Sequence, residues 1–167
     1  MKILLNSNEL KKELKKDHSL GFVPTMGSIH KGHEYLISQS KKECKKTIVS
    51  IFVNPTQFNN PKDFKKYPIN IDIDLNILKR LKVDFVFIPK TNDIYKFKRK
   101  KKILLKKKDL ILCAKYRKGH FEGVLDVMDR LTKLIYPNKI YMGEKDFQQY
   151  HLVKNFLEKK YNTKVIK

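Results

Sequence analysis

Apolar residues along this chain alternate between two spacings. Short runs rich in β-branched and aromatic residues at 20–24, 47–53, 83–88 and 139–142 are bounded by Gly, Pro or Asn and read as buried strands, and 164–166 begins another. Between them the apolar positions recur every three or four residues. Residues 9–16 predict a first helix, 34–46 a second carrying Leu36, Ile37 and Ser40, and 71–81 a third with Leu75, Leu78 and Leu81 on one face. Residues 124–135 place Val124, Val127, Met128, Leu131 and Leu134 on one side, and 147–160 forms the last helix. Strands separated by helical crossovers predict an α/β fold, a mostly parallel sheet flanked by helices, with its ligand site beyond the carboxyl ends of the strands. At 167 residues the chain is long enough for one domain, 1–167, with a real core.

The residues that fit neither spacing gather after strands. Gly21-Phe22-Val23-Pro24-Thr25-Met26-Gly27-Ser28-Ile29-His30-Lys31-Gly32-His33 runs from a strand through a loop into a helix start. A helix N-terminus there offers unpaired N–H groups and a positive dipole end to an anion, so the pattern is that of a nucleotide phosphate site. A single histidine at a helix start is ordinarily a capping or surface residue. His30 and His33 together add two donors that can meet charge developing on phosphorus, and Gly27 and Gly32 let a ligand come close to the backbone. Asn54-Pro55-Thr56-Gln57-Phe58 follows the second strand, and Gly143-Glu144-Lys145-Asp146-Phe147-Gln148-Gln149 follows the strand at Ile140. Lys145 and Asp146 suit a phosphate-reaching cation and a hydroxyl-binding carboxylate, while Gln57 and Gln149 can present directional amides to a small polar substrate.

Charge adds a competing reading. The net charge is +21, the signature of a nucleic-acid binder, but lysine supplies nearly all of it, with arginine only at Arg80, Arg99, Arg117 and Arg130. Arginine forks and interleaved aromatics are the usual equipment of a nucleic-acid module, so no nucleic-acid partner is expected. The densest run, Lys96-Phe97-Lys98-Arg99-Lys100-Lys101-Lys102 and then Lys106-Lys107-Lys108, reads as a solvated loop or edge hairpin, with a polyanion site as the alternative, and Ile103-Leu104-Leu105 reads as a short strand. Cys44 and Cys113 lack metal or disulfide spacing and read as buried small hydrophobes. No run reaches the roughly 20 apolar residues of a membrane span and the start lacks a full signal peptide, so the chain reads as cytoplasmic, with no membrane partner. Asp72 and Asp74, flanking Ile73, read as first-turn charges rather than metal ligands, and no metal-binding residues are expected.

Four ordered segments, Pro24 to His33, Phe52-Val53-Asn54-Pro55-Thr56-Gln57-Phe58, Arg117-Lys118-Gly119-His120-Phe121-Glu122-Gly123-Val124 and Gly143 to Gln149, resemble the successive signatures of the pantothenate synthetase (pantoate–β-alanine ligase) family over nearly the whole chain. The resemblance implies a Rossmann-like, cytidylyltransferase-like nucleotide-binding fold and an AMP-forming ligase. In that family pantoate is adenylated by ATP with loss of pyrophosphate, and the amine of β-alanine then displaces AMP to give pantothenate, a coenzyme A precursor. By matching motif, Met26, Gly27, Ser28, Ile29, His30, Lys31, Gly32 and His33 would line the ATP site, with His33 as proton donor and His30 beside it at the phosphates. Gly143, Glu144, Lys145 and Asp146 would contact ribose and phosphate, with Lys145 at the reacting α-phosphate. Gln57 and Gln149 would hold pantoate, and Mg²⁺ would arrive with the nucleotide.

Lys118 stands where the family has proline, Ala114 where it has glycine, and Tyr150-His151 where it has a more apolar pair. Relatives of this kind continue into a second nucleotide loop and a smaller C-terminal domain, so the resemblance also implies a chain shortened at its C-terminal end. An active fragment, a homodimer, a chain complemented by a second polypeptide and a noncatalytic remnant are all compatible with the sequence.

Overall fold

The computed structural model describes residues 1–14, 19–58, 60–97 and 102–167. The chain runs through β1 (Lys2–Leu4), α1 (Ser7–Glu13), β2 (Leu20–Thr25), α2 (Lys31–Glu43), β3 (Lys46–Ile51), α3 (Pro61–Lys65), α4 (Ile71–Arg80), β4 (Phe85–Phe87), α5 (Thr91–Ile94), α6 (Cys113–Tyr116), α7 (His120–Ile135), β5 (Lys139–Tyr141), α8 (Phe147–Leu157) and β6 (Lys164–Ile166). All six strands pair in parallel, in the order β1-β4-β3-β2-β5-β6. From β2 the sheet grows one way through β3 and β4, then the other way through β5 and β6. The strand order therefore reverses beside β2, the place where an open parallel sheet leaves a crevice at its carboxyl edge.

Both faces of the sheet are buried, which is why its strands read as continuous apolar runs. Phe22, Ile48, Phe85, Phe87 and Ile140 face a core built with Leu10 of α1, with Val124, Leu125, Val127, Met128 and Leu131 of α7, and with Val153 and Leu157 of α8. The intervening residues Val23, Val49, Val86 and Tyr141 face the opposite core, against Leu36 and Ile37 of α2 and Leu78 of α4. The two-residue side-chain period of a strand produces this division directly.

Apart from the strand expected at 103–105, each expected strand and long helix is present, with shifted ends. Helix α2 starts at Lys31 because His30 caps it, and it stops at Glu43, so Lys46 opens β3 instead of closing the helix. Helix α7 starts at His120, four residues before the apolar stripe, and α8 ends at Leu157. Helix α1 begins at Ser7, because Asn6 accepts from the N–H groups of Asn8 and Glu9, and ends at Glu13; the expected residues 15 and 16 lie outside the described residues. β1 and the short helices α3, α5 and α6 carry too few residues for a period to show.

Two expectations fail. Ile103, Leu104 and Leu105 form no strand: Ile103 and Leu105 tuck against the α7 core while Leu104 stays exposed, and the basic run continues into a 3-10 turn at Lys107–Asp109, with 98–101 outside the described residues. Cys44 is buried, but Cys113 is exposed, because it opens the short surface helix α6. Among the described residues no helix is long and apolar enough to cross a membrane.

Candidate functional site

β2 delivers its last residue, Thr25, to the crevice, where the side chain binds in two directions. Its hydroxyl donates to the Ser50 carbonyl at 2.7 Å and accepts from the Gly27 N–H at 3.1 Å. The loop then turns through two left-handed residues, Gly27 at φ 84° and Ser28 at φ 52°. Glycine adopts that conformation freely and serine does so at a cost, so something must hold Ser28 there. Asp74 does. Its carboxylate, 1% exposed, accepts from the Ser28 N–H at 2.9 Å and the Ile29 N–H at 2.7 Å. Asp74 does sit in the first turn of α4, as its spacing suggested, but it is buried there as an anchor for the loop after β2.

Helix α2 follows. His30 caps it by accepting the Gly32 N–H on Nδ1 at 3.1 Å. A ring nitrogen that accepts from an N–H carries a lone pair, so the proton of His30 sits on Nε2. The His33 ring lies 4.1 Å away, centroid to centroid, and its Nδ1 is buried with no hydrogen-bond partner among the described residues. Burial, reinforced by the neighbouring His30 and opposed by Asp74, lowers the His33 pKa to about 4. His30 thus presents its Nε2–H beside a His33 whose charged form is disfavoured.

This depression has a measurable consequence. The folded protein resists protonating His33 while the unfolded chain takes the proton near 6.5, so the contribution of His33 to stability is complete above about pH 6.5 and is lost as pH falls toward about 4. Urea midpoints of the wild-type protein and His33→Gln, measured across that window, should differ in slope. Parallel curves would show that His33 titrates normally.

The loop, the start of α2 and the ends of β3, β5 and β6 enclose a cleft of about 890 Å³. Met26, Gly27, His30, Gly32 and His33 line it, as do Gly143, Glu144, Lys145 and Asp146 from the turn before α8. Gln57 and Gln149 reach it from the 3-10 turn Pro55–Gln57 and from α8. Three of the expected residues are turned elsewhere. Ser28 donates its hydroxyl to the Pro68 carbonyl, Ile29 is packed in the core beside Leu36 and Val49, and the side chain of Lys31 is 93% exposed, 3.9 Å from Glu34.

Gln57 does not stand alone. Asn54, 1% exposed, donates from Nδ2 to Gln57 Oε1 at 3.1 Å and to the Gly123 carbonyl at 3.2 Å. Its Oδ1 accepts from the Thr56 N–H and hydroxyl and, at 2.6 Å, from the Tyr95 hydroxyl. With Oε1 engaged, Gln57 turns Nε2 toward Met26 Sδ at 2.9 Å and the cleft. His120, the first residue of α7, donates from Nδ1 to the Gln57 carbonyl at 2.7 Å and lines the same cleft, as does Arg117. Sequence reasoning gave none of Asn54, Asp74, Arg117 or His120 a role. For Asp74 a signal existed, since an acid at 74 shares the helical face of Leu78 and Leu81. Among the described residues no three His, Cys, Asp or Glu side chains gather around a point that could hold a metal ion.

A parallel sheet with a histidine-capped helix and a left-handed loop at its reversal point is a nucleotidyltransferase-like α/β fold, with a helix N-terminus suited to an anion at its crevice. The pantoate-beta-alanine ligase family model matches residues 2–167, and the chain belongs to that family. It is 42% identical over 160 residues to the pantothenate synthetase of Pseudothermotoga lettingae, covering 94% of this chain and 57% of the relative. With the enzyme of Francisella philomiragia it shares 45% identity over 164 residues, 95% of this chain and 62% of the relative. The chain thus spans about three fifths of the length of these relatives. The pantothenate synthetase structure from Thermus thermophilus superposes with a TM-score of 0.93 at 32% identity, over 99% of this chain and 60% of that one. The pantoate-beta-alanine ligase from Francisella tularensis, complexed with βγ-ATP and β-alanine, gives the same TM-score at 44% identity, over 99% of this chain and 66% of that one.

Proposed function

We propose that this chain, in the cytoplasm, condenses pantoate with ATP to pantoyl adenylate and pyrophosphate, and then joins the pantoyl group to β-alanine, releasing AMP. The observation that carries the reading is the convergence on one cleft of the His30–His33 pair, Lys145 and the two glutamines. A carboxylate is a poor electrophile, and transfer to AMP gives its carbonyl a leaving group. The N-terminus of α2, the Nε2–H of His30 and the His33 ring would meet the charge on the phosphates, His33 as the proton donor, with Lys145 at the α-phosphate. Gly143, Glu144 and Asp146 would hold the ribose, and the loop backbone from Met26 to Gly32, with Ser28, Ile29 and Lys31, would follow the nucleotide. Gln57 and Gln149 would fix the pantoate carboxylate in line with the α-phosphate, and such positioning contributes effective molarities of about 10⁵–10⁸ M. Magnesium would enter as MgATP, a substrate, held by the phosphates. The Francisella tularensis ligase bound to an ATP analogue and β-alanine supports this choice of substrates.

The test is pantoate-dependent pyrophosphate release from ATP by the purified chain. Release should fall at least about 100-fold in His33→Ala, the loss typical of a removed transition-state donor. ATP binding without release would redirect the assignment to a nucleotide-binding subunit that works with a second polypeptide.

A further inference from the structure

The segment 117–124 has no part in the adenylation step described above, yet it places a histidine in the cleft. We propose that His120 is the base of the second half-reaction, taking the proton from the attacking amine at Nε2. The inference rests on the pantoyl-adenylate reading of the cleft. His120 is 6% exposed, and its Nδ1 lies 2.7 Å from the Gln57 carbonyl. A carbonyl only accepts, so Nδ1 carries the proton and Nε2 carries a lone pair. That tautomer is the opposite of the one assigned to His30, which presents an N–H to the cleft. Of the carboxylates in the cleft, Glu144 and Asp146 are exposed, and Glu144 accepts from Lys167 Nζ at 2.8 Å. Burial lowers the His120 pKa and so favours the neutral ring, with Arg117 acting in the same direction and Gln57, Asp146 and Glu122 opposing it.

In the step, the neutral amine of β-alanine attacks the pantoyl carbonyl carbon and the N–C bond forms. The nitrogen gives its proton to His120 Nε2, and the C–O bond to AMP breaks, leaving its electron pair on the phosphate oxygen. The imidazolium then returns the proton to water. The bond to the Gln57 carbonyl keeps the ring beside the residue that holds pantoate.

His120→Asn tests this, because an asparagine amide can replace the Nδ1 donor and cannot replace the Nε2 acceptor. The expected result, in a single turnover, is a fall of about 100-fold in the ratio of the rate of β-alanine-dependent amide formation to the rate of the first pantoate-dependent pyrophosphate release, within the usual range for general-base loss. An unchanged ratio overturns the proposal. A second readout does not depend on turnover: the ¹⁵N shifts of the wild-type His120 ring between pH 6 and 8 should show a protonated Nδ1 and a bare Nε2. A protonated Nε2 overturns the proposal even in a chain that turns nothing over, whereas absence of pantoate-dependent release with the expected shifts overturns the adenylate reading alone.

Discussion

Asp74→Ala should cost about 2–4 kcal/mol of folding stability and abolish ATP binding. The substitution leaves the buried N–H of Ile29 and the N–H of Ser28 without the carboxylate that now accepts them at 2.7 and 2.9 Å, and hydrogen bonds to charged groups contribute about 1.5–3 kcal/mol each. It also frees Ser28 to leave its left-handed conformation, and the loop that aims His30 and His33 then has no fixed path. Asp74→Asn keeps an acceptor oxygen and should retain part of both properties. Thermal unfolding with and without ATP measures the two effects together. An alanine variant that keeps the wild-type ATP-dependent stabilisation would show that the loop holds its shape unaided.

Gly123→Ala should be the second large effect, and intrinsic propensity gives it the wrong sign. Alanine in place of a helical glycine ordinarily favours the helix by about 1 kcal/mol. At this position, in the first turn of α7, an added Cβ would lie 2.4 Å from the Thr56 carbonyl oxygen and 3.0 Å from the Gln57 nitrogen. Those atoms are backbone and cannot swing aside as a side chain can. Overpacking costs about 1–3 kcal/mol or more, so the variant should be less stable, and the displaced turn should carry Gln57 away from the place the proposed function gives pantoate. A urea titration reads the first effect and the KM for pantoate the second. A variant more stable than wild type would mean that α7 has room to move.

The periodic part of this fold was open to reading because both faces of the sheet are covered and most of its helices pack one side. Phe22 and Val23, or Ile48 and Val49, divide between two cores, and that division forces an unbroken apolar run. β1 escaped notice because Lys2, Ile3 and Leu4 form an edge strand with only Leu4 buried, leaving no pattern to detect. Of the departures from the family pattern, Ala114 is buried, Lys118 lies on an exposed turn, and Tyr150 is buried while His151 faces solvent.

At the site, the sequence displayed the residues whose types advertise chemistry, and the structure gathers His30, His33, Lys145, Gln57 and Gln149 on one cleft. What stayed hidden was the support. Asn54 and Asp74 act by satisfying particular backbone and amide groups, and such pairings between distant positions are fixed only once the chain has folded. The tautomers of His30 and His120 belong to the same class, since a ring's proton follows whichever neighbour meets Nδ1.

The strand order also dictates a sequence of events during synthesis. β2 pairs with β3 on one side as soon as residues 46–51 have emerged, but its other side is met only by β5, at Lys139 and Ile140. Until then the central strand of the finished sheet is an edge, with unpaired N–H and C=O groups beside apolar side chains, the condition that invites pairing with another chain. The reversal point that opens the cleft is therefore also the last seam of the sheet's middle to close, and a ribosome pausing before residue 139 would leave the loop after β2 attached to a sticky, half-paired strand.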